Sequence, residues 1–284
     1  MSRTKLALSS CALLLYLVAG WAGPAFAQAP APAKVPTPVD INARVTLPPV
    51  DATLPDDPAV DKMLGAYSPK VRALDLPIGK LKGDLSKGGM GAGSLGNFVT
   101  DGIRARAGLK LGKPVALAVT NGGGLRKSVI AEGVLRTRDI FELLPFENAL
   151  VEFDLTGAQL IELLRVVVAT RDGQSGARVV YRTTADKKNE LVSARLLVDG
   201  QEKEIDPAAM YKVISIDYLL RVKGSYVVLQ EAKASKPLGL TIRDAMIDYV
   251  KAETAAGREI KANLDGRFHF DKAGSAVTEE VRPQ

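Results

Sequence analysis

Apolar positions recur at helical spacing in several stretches of the chain. Across 94–108, Leu95, Phe98, Val99, Gly102 and Ile103 share one helical face, which predicts a helix with Gly108 as its stop. Across 156–173 an amphipathic run opens at Thr156, a candidate N-cap, and closes near Gly173. Residues 241–257 give a third helix and 136–144 a short one. Near 58–74, Val60, Met63, Leu64 and Tyr67 also fall at helical spacing, and ordered chain is expected to begin there. Between these lie strand-like runs at 113–121, 148–157, 177–184, 191–200, 211–220 and 266–270. Strands and helices mix without strict alternation, which predicts a single α+β domain with a mixed β-sheet and packed helices.

The two ends read differently. Arg3 and Lys5, an apolar run and the small-x-small site Ala25-Phe26-Ala27 make residues 1–27 a secretory signal peptide, too short in its apolar part to favour a retained anchor. A lipid-attachment reading of Leu8-Ser9-Ser10-Cys11 fails, because the cysteine precedes the apolar run. Residues 28–57 are rich in Pro and Ala and read as a tether, 58–271 as the domain, and 272–284 as a polar tail. The mature protein is expected to be exported, periplasmic or secreted, with no membrane association after cleavage. Cleavage removes the only Cys, the only Trp and two of the six surplus positive charges. No disulfide is then available, and the remaining surplus is too small to indicate a nucleic-acid partner.

Candidate chemistry is sparse. Hydrolytic metal sites need clustered His, Asp and Glu, because several fixed ligands must hold the ion while one position stays open. The chain has one histidine, His269, alternating with Phe268 and Phe270 in the last strand, and no D-x-H, G-N-H or H-x-H grouping. Neither a metal site nor a cofactor is expected. No G-x-S-x-G elbow occurs, so nucleophilic catalysis has no visible carrier. Carboxylates such as Glu142, Glu147, Asp154 and Glu162 are open to two readings, pairing in space or plain surface solvation. The turn Asn121-Gly122-Gly123-Gly124 beside Arg126 is either a backbone cradle for a polar or anionic group or a simple tight turn. Phe146, in "LLPFEN", either packs inward or stacks on a ligand.

Taken in order, "GNFVTD", "TNGGGLR", "LPFEN", "LTGAQLIELL", "YKVISIDYL", "TIRDAMIDYV" and "GRF" closely resemble the C-terminal domain of the 5′-nucleotidase family. That family includes UDP-sugar hydrolases and 2′,3′-cyclic-nucleotide phosphodiesterases. The likeness runs from about Asp57 to Phe270, and "DPAVDKMLGAYSPKVRAL" resembles the helix that joins the family's two domains. In such enzymes an N-terminal metallophosphoesterase domain hydrolyses the substrate and the C-terminal domain binds the nucleoside. No counterpart of the catalytic domain is found in this sequence.

The resemblance implies binding roles for Asn121, Gly123 and Arg126 in the N-G-G-G-[ILV]-R turn, for Phe146 and Tyr218 as the two aromatics that sandwich the base, and for Asn148 beside Phe146. Two positions depart from the pattern. Gly224, in "RVKGS", stands near the place of the ribose-binding Asp, and "LSKGGMGAGSLGN" has glycines where arginines are often found. Three functions follow as alternatives: recognition of a nucleoside or nucleotide on behalf of a separately encoded metallophosphoesterase, a structural or partner-binding domain with a decayed pocket, or a phosphohydrolase active by itself.

Overall fold

A computed structural model describes residues 47, 49–51, 53–232, 234–261 and 264–273. The expected signal peptide, most of the tether and most of the tail lie outside the described residues. The chain divides into two units, Met1–Pro55 and Asp56–Gln284, and the elements below belong to the second. Among the described residues, no helix is long and apolar enough to cross a membrane.

The unit opens with α1 (Pro58–Gly65), capped by the Asp57 carboxylate, which accepts from the N–H groups of Ala59 and Val60. A second short helix, α2 (Ser68–Ala73), follows with Pro69 in its first turn, where the missing N–H costs no intrahelical bond. Helical spacing is a sound guide to α1 but not to its packing: Val60, Met63, Leu64 and Tyr67 are all exposed, and neither helix buries a residue.

Next come β1 (Pro77–Leu81), β2 (Leu85–Ser86), the long α3 (Gly93–Leu111) and β3 (Leu117–Thr120). After the glycine turn lie β4 (Val129–Ile130), β5 (Gly133–Arg136), α4 (Thr137–Leu143), β6 (Ala149–Thr156) and α5 (Gly157–Thr170). The chain continues through β7 (Gly173–Ser175), β8 (Ala177–Thr183), β9 (Asn189–Val198), β10 (Gln201–Lys203) and β11 (Met210–Ile216). It finishes with α6 (Val227–Gln230), β12 (Ser235–Thr241), α7 (Ile242–Ala255) and β13 (Phe268–Phe270).

The strands form a five-stranded sheet ordered β12-β6-β11-β3-β7 and a four-stranded sheet ordered β10-β9-β8-β13, with two small pairs, β1-β5 and β2-β4. Both larger sheets are mixed: β11 runs parallel to β3 and β13 parallel to β8, while the remaining pairs are antiparallel. The expected α+β class holds, with the sheet divided in two. β3 is buried along its whole length, as a central strand covered on both faces must be. Against it pack Leu95, Phe98, Val99 and Ile103 of α3 and, beyond them, Ala245, Met246 and Val250 of α7. The two helices meet closely at Gly102, where an added Cβ would stand 2.4 Å from Met246 Sδ.

Two helix ends fall elsewhere than expected. α3 runs through Gly108 and stops at Gly112, which takes the left-handed conformation (φ 61°). The extra turn lets Leu111 pack against the core. α5 has the expected cap, a reciprocal box between Thr156 and Gln159, but it ends at Arg171 with φ 61°, and Gly173 already belongs to β7.

Arg267 ties the pieces together. It is 8% exposed, and its guanidinium bonds to both oxygens of Asp101 on α3 at 2.9 Å, to Asp265 at 2.8 and 2.9 Å, and to the Gln174 carbonyl at 3.1 Å. The conspicuous "GRF" and the last residue of "GNFVTD" therefore meet in a structural clamp.

Candidate functional site

The site sits in the five-stranded sheet beyond the last residue of β3, where three connections converge. β3 delivers Asn121 and the glycine turn. The segment between α4 and β6 carries Phe146 and Asn148, and a turn of 3-10 helix after β11, Asp217–Leu220, carries Tyr218. Strand pairing fixes the spacing, since Ile216 of β11 lies opposite Leu150 of β6. Two further bonds lock the connections: Asp217 Oδ1 accepts from the Ala149 N–H at 3.1 Å, and the Asn148 carbonyl accepts from the Ile242 N–H at 2.9 Å.

Asn121, Gly124, Phe146 and Asn148 line one hollow together with Thr120, Leu144, Ile216 and Ile242. Its enclosed volume is about 10 Å³, room for roughly one water. Phe146 is 49% exposed at its rim, and the Arg126 guanidinium stands 6.0 Å from the ring centroid, within reach of a cation–π attraction. Arg126 forms no ion pair among the described residues, in contrast to Arg178, Arg182 and Arg195 on the four-stranded sheet, each bridged to a glutamate. The Asn121 Oδ1 atom is buried and accepts no hydrogen bond among the described residues. Tyr218 is 46% exposed but does not line the hollow, and the two exposed rings do not touch.

The glycine turn is a tight turn rather than a ready cradle. The Gly122 N–H donates to Asp172 Oδ1 at 2.7 Å, Gly124 to the Asn121 carbonyl at 3.1 Å, Leu125 to the Gly122 carbonyl at 3.2 Å and Arg126 to the Leu143 carbonyl at 2.8 Å. These four N–H groups are committed to the fold, and Gly123 is the exposed residue of the turn. At Gly124 an added Cβ would stand 3.1 Å from Asn121 Oδ1, a tight contact that the Asn121 side chain would have to relieve by a small shift. The glycine run before α3 backs the same turn, with Ala92 Cβ lying 3.1 Å from where a Gly122 Cβ would stand. Gly224 is exposed, with φ 81° and open space around it.

The four carboxylates left open above do not pair with one another. Glu142 bonds Lys127 at 2.6 Å, Glu147 bonds Arg243 at 3.0 Å, Asp154 bonds Lys212 at 2.7 Å and Glu162 bonds Arg165 at 3.1 Å. Around Lys127, burial opposes the charge, yet the bonds to Glu142 and Asp139 outweigh it and raise the ammonium pKa. His269 is exposed on β13, and among the described residues no group of three His, Cys, Asp or Glu side chains could hold a metal ion.

Three supporting residues escaped the sequence reading. Arg243, at the start of α7, is 8% exposed and lies over the Phe141 ring at 4.2 Å. It donates to the Pro145 carbonyl at 3.3 Å and to Glu147 at 3.0 Å, bracketing Phe146 on both sides. Asp172 and Tyr226 are buried behind the glycine turn and joined by a 2.5 Å hydrogen bond. Burial and the Asp172 charge push the Tyr226 phenol far above its ordinary pKa, so it keeps its proton. Arg243 lies within a recognisable motif. For Asp172 and Tyr226, a lone acid after a helix and a lone tyrosine in a loop, no local spacing marks the role.

Comparison with known proteins places this geometry in a family. The model of the 5′-nucleotidase, C-terminal domain, matches residues 77–231, more than half of the chain. An apyrase of Tabanus yao is 27% identical over 177 residues, covering 56% of this chain and 32% of the apyrase. The cell wall protein Lmo0130 of Listeria monocytogenes is 26% identical over 198 residues, covering 66% of this chain and 25% of that protein. Among solved structures, the 5′-nucleotidase precursor of Thermus thermophilus superimposes with a TM-score of 0.63 at 24% identity, over 75% of this chain and 43% of that one, a likeness of fold. The chain thus spans about a third or less of these two curated relatives and under half of the solved structure. The family match and the shared fold agree on one conclusion: this chain belongs to the 5′-nucleotidase C-terminal domain family.

Proposed function

We propose that the second unit is an exported nucleoside- or nucleotide-recognition domain that works with a metallophosphoesterase partner in nucleotide catabolism. The observation that carries this reading is the juxtaposition at the hollow's rim: a half-exposed Phe146 ring beside an Arg126 guanidinium that has no carboxylate partner among the described residues. A base stacks on such a ring for about 1–3 kcal/mol, and the buried Asn121 Oδ1 offers an acceptor to a base or sugar donor. The hollow admits only a water-sized group, so the base lies across the rim with Tyr218 as its second face. Arg126 then meets an electron-rich or anionic part of the ligand. Family membership supports the ligand class, and the likeness to a cell wall protein supports export.

The test is a thermal-shift and calorimetric titration of the purified mature protein with adenosine, uridine, AMP and UDP-glucose. A ligand that binds only the folded state raises the melting temperature, and Phe146→Ala must weaken that binding by about 1–3 kcal/mol. A wild type that binds none of the four at millimolar concentration overturns the reading and leaves the decayed-pocket alternative.

A further inference from the structure

Asp172 is 7% exposed, follows α5 directly and forms no ion pair among the described residues. Burying a carboxylate without a cation is costly unless hydrogen bonds hold its charge. Its oxygens take donors from three segments: the Gly122 N–H at 2.7 Å, the Thr170 hydroxyl at 2.7 Å and the Tyr226 hydroxyl at 2.5 Å. Thr170 also lies 2.9 Å from the Val166 carbonyl, and its single proton serves one acceptor at a time. The constant partners are therefore Gly122 and Tyr226.

Each of these reaches one wall of the proposed site. Gly122 directly follows Asn121 and opens the turn that leads to Arg126. Tyr226 belongs to the segment that begins at Tyr218, and that segment is internally braced: the Gln230 side chain donates to the Val222 carbonyl at 2.9 Å, and Arg221 N–H to the Tyr218 carbonyl at 2.9 Å. A shift of Tyr226 is thus passed to Tyr218. We propose that Asp172 is a positioning residue that sets the separation between the Asn121–Arg126 wall and the Tyr218 wall, acting through Gly122 on one side and Tyr226 on the other. The proposal rests on the nucleoside reading above.

The experiment compares wild type, Tyr226→Phe, Asp172→Ala and Asp172→Asn by adenosine calorimetry and by amide hydrogen exchange at Gly122, well below each melting temperature. Tyr226→Phe and Asp172→Ala are expected to weaken adenosine binding about ten-fold, and Asp172→Ala to speed Gly122 exchange by a similar factor. Asp172→Asn keeps the shape, an acceptor for Gly122 and a donor toward Tyr226, so it is expected to retain affinity within about three-fold. Should Asp172→Ala fail to fold, Tyr226→Phe, which removes one oxygen atom, carries the test. A purely structural role lowers the melting temperature and leaves affinity unchanged, and that result overturns the proposal. A wild type that binds none of adenosine, uridine, AMP and UDP-glucose overturns the nucleoside reading, and the proposal falls with it; binding wild type with unaffected variants overturns the proposal alone.

Discussion

Arg267 and Arg126 are the same side chain in opposite settings. Arg267 is 8% exposed and engages two carboxylates and a carbonyl, so every direction of its guanidinium is spent on the fold. Arg126 is exposed, faces an aromatic ring at 6.0 Å and forms no ion pair among the described residues. Both lie in motifs that stand out in the sequence. A motif arginine thus declares its role through its partners, and only the unpartnered one is available to a ligand.

The comparison breaks most visibly if the clamp is dispensable. Removing one partner of a buried ion pair costs about 3–5 kcal/mol, and Asp101 and Asp265 retain 38% and 41% side-chain exposure, so Arg267→Ala is expected near the low end, about 3 kcal/mol. Urea unfolding monitored by circular dichroism measures it; a loss under about 1 kcal/mol would deny the clamp its role. Phe146→Ala is expected to act the other way, weakening nucleoside binding by about 1–3 kcal/mol while shifting stability by no more than about 0.5 kcal/mol. A large drop in its unfolding midpoint would place Phe146 with the clamp.

Arg243 tests an intermediate case, a buried guanidinium that holds up the exposed ring. Arg243→Lys keeps the charge but loses the planar stack on Phe141 and the forked contact to Pro145 and Glu147, and is expected to cost about 1 kcal/mol of stability with a measurable fall in affinity. Unchanged binding alongside that stability loss would mean that Phe146 does not depend on its bracket.

A smaller effect is expected in acid. Burial opposes ionisation of Asp265, but the bonds and charge of Arg267 prevail and hold its pKa below the ordinary 3.8. A depressed folded pKa contributes stability that is full above the unfolded value and lost as pH falls through the folded one. Between neutral pH and about pH 2, Asp265→Asn should therefore lose less stability than wild type, and equal acid limbs in the two proteins would remove this carboxylate from the account. Smallest of all, Arg126→Ala is expected to leave the unfolding midpoint within about 0.5 kcal/mol of wild type, as exposed unpaired side chains do.

Much of this arrangement was legible in the sequence because it is local. Thr156 with Gln159 three residues on, and the apolar face of α3, are patterns that one helix imposes on its own residues. The strands β1, β2, β4, β5, β7, β10 and β12 went unread, most of them too short to build a period against which alternation can be judged. Gly108 and Gly112 are equally good stops in sequence; Leu111 decides between them by packing on the core, which is a tertiary effect. At the site, Phe146, Asn121 and Asn148 share one hollow, whereas the commitment of the Gly122 N–H depends on Asp172, fifty residues away. The exposure of α1 was likewise invisible, since periodicity reports which residues share a face and not what covers it.

The glycine run before α3 also limits how this molecule could be redesigned. Side chains are barred from most of it: a Cβ at Gly96 would fall 1.9 Å from the Gly91 carbonyl oxygen, and one at Gly93 2.5 Å from that of Ser86. Gly91 is blocked by the Phe268 ring, and Gly89 has a positive φ. Gly88 alone in that run combines ordinary backbone with free space, next to Lys87, whose ammonium already reaches the Leu125 carbonyl at 2.8 Å. Gly88 is thus the one position in that run where a side chain can be added without displacing its neighbours.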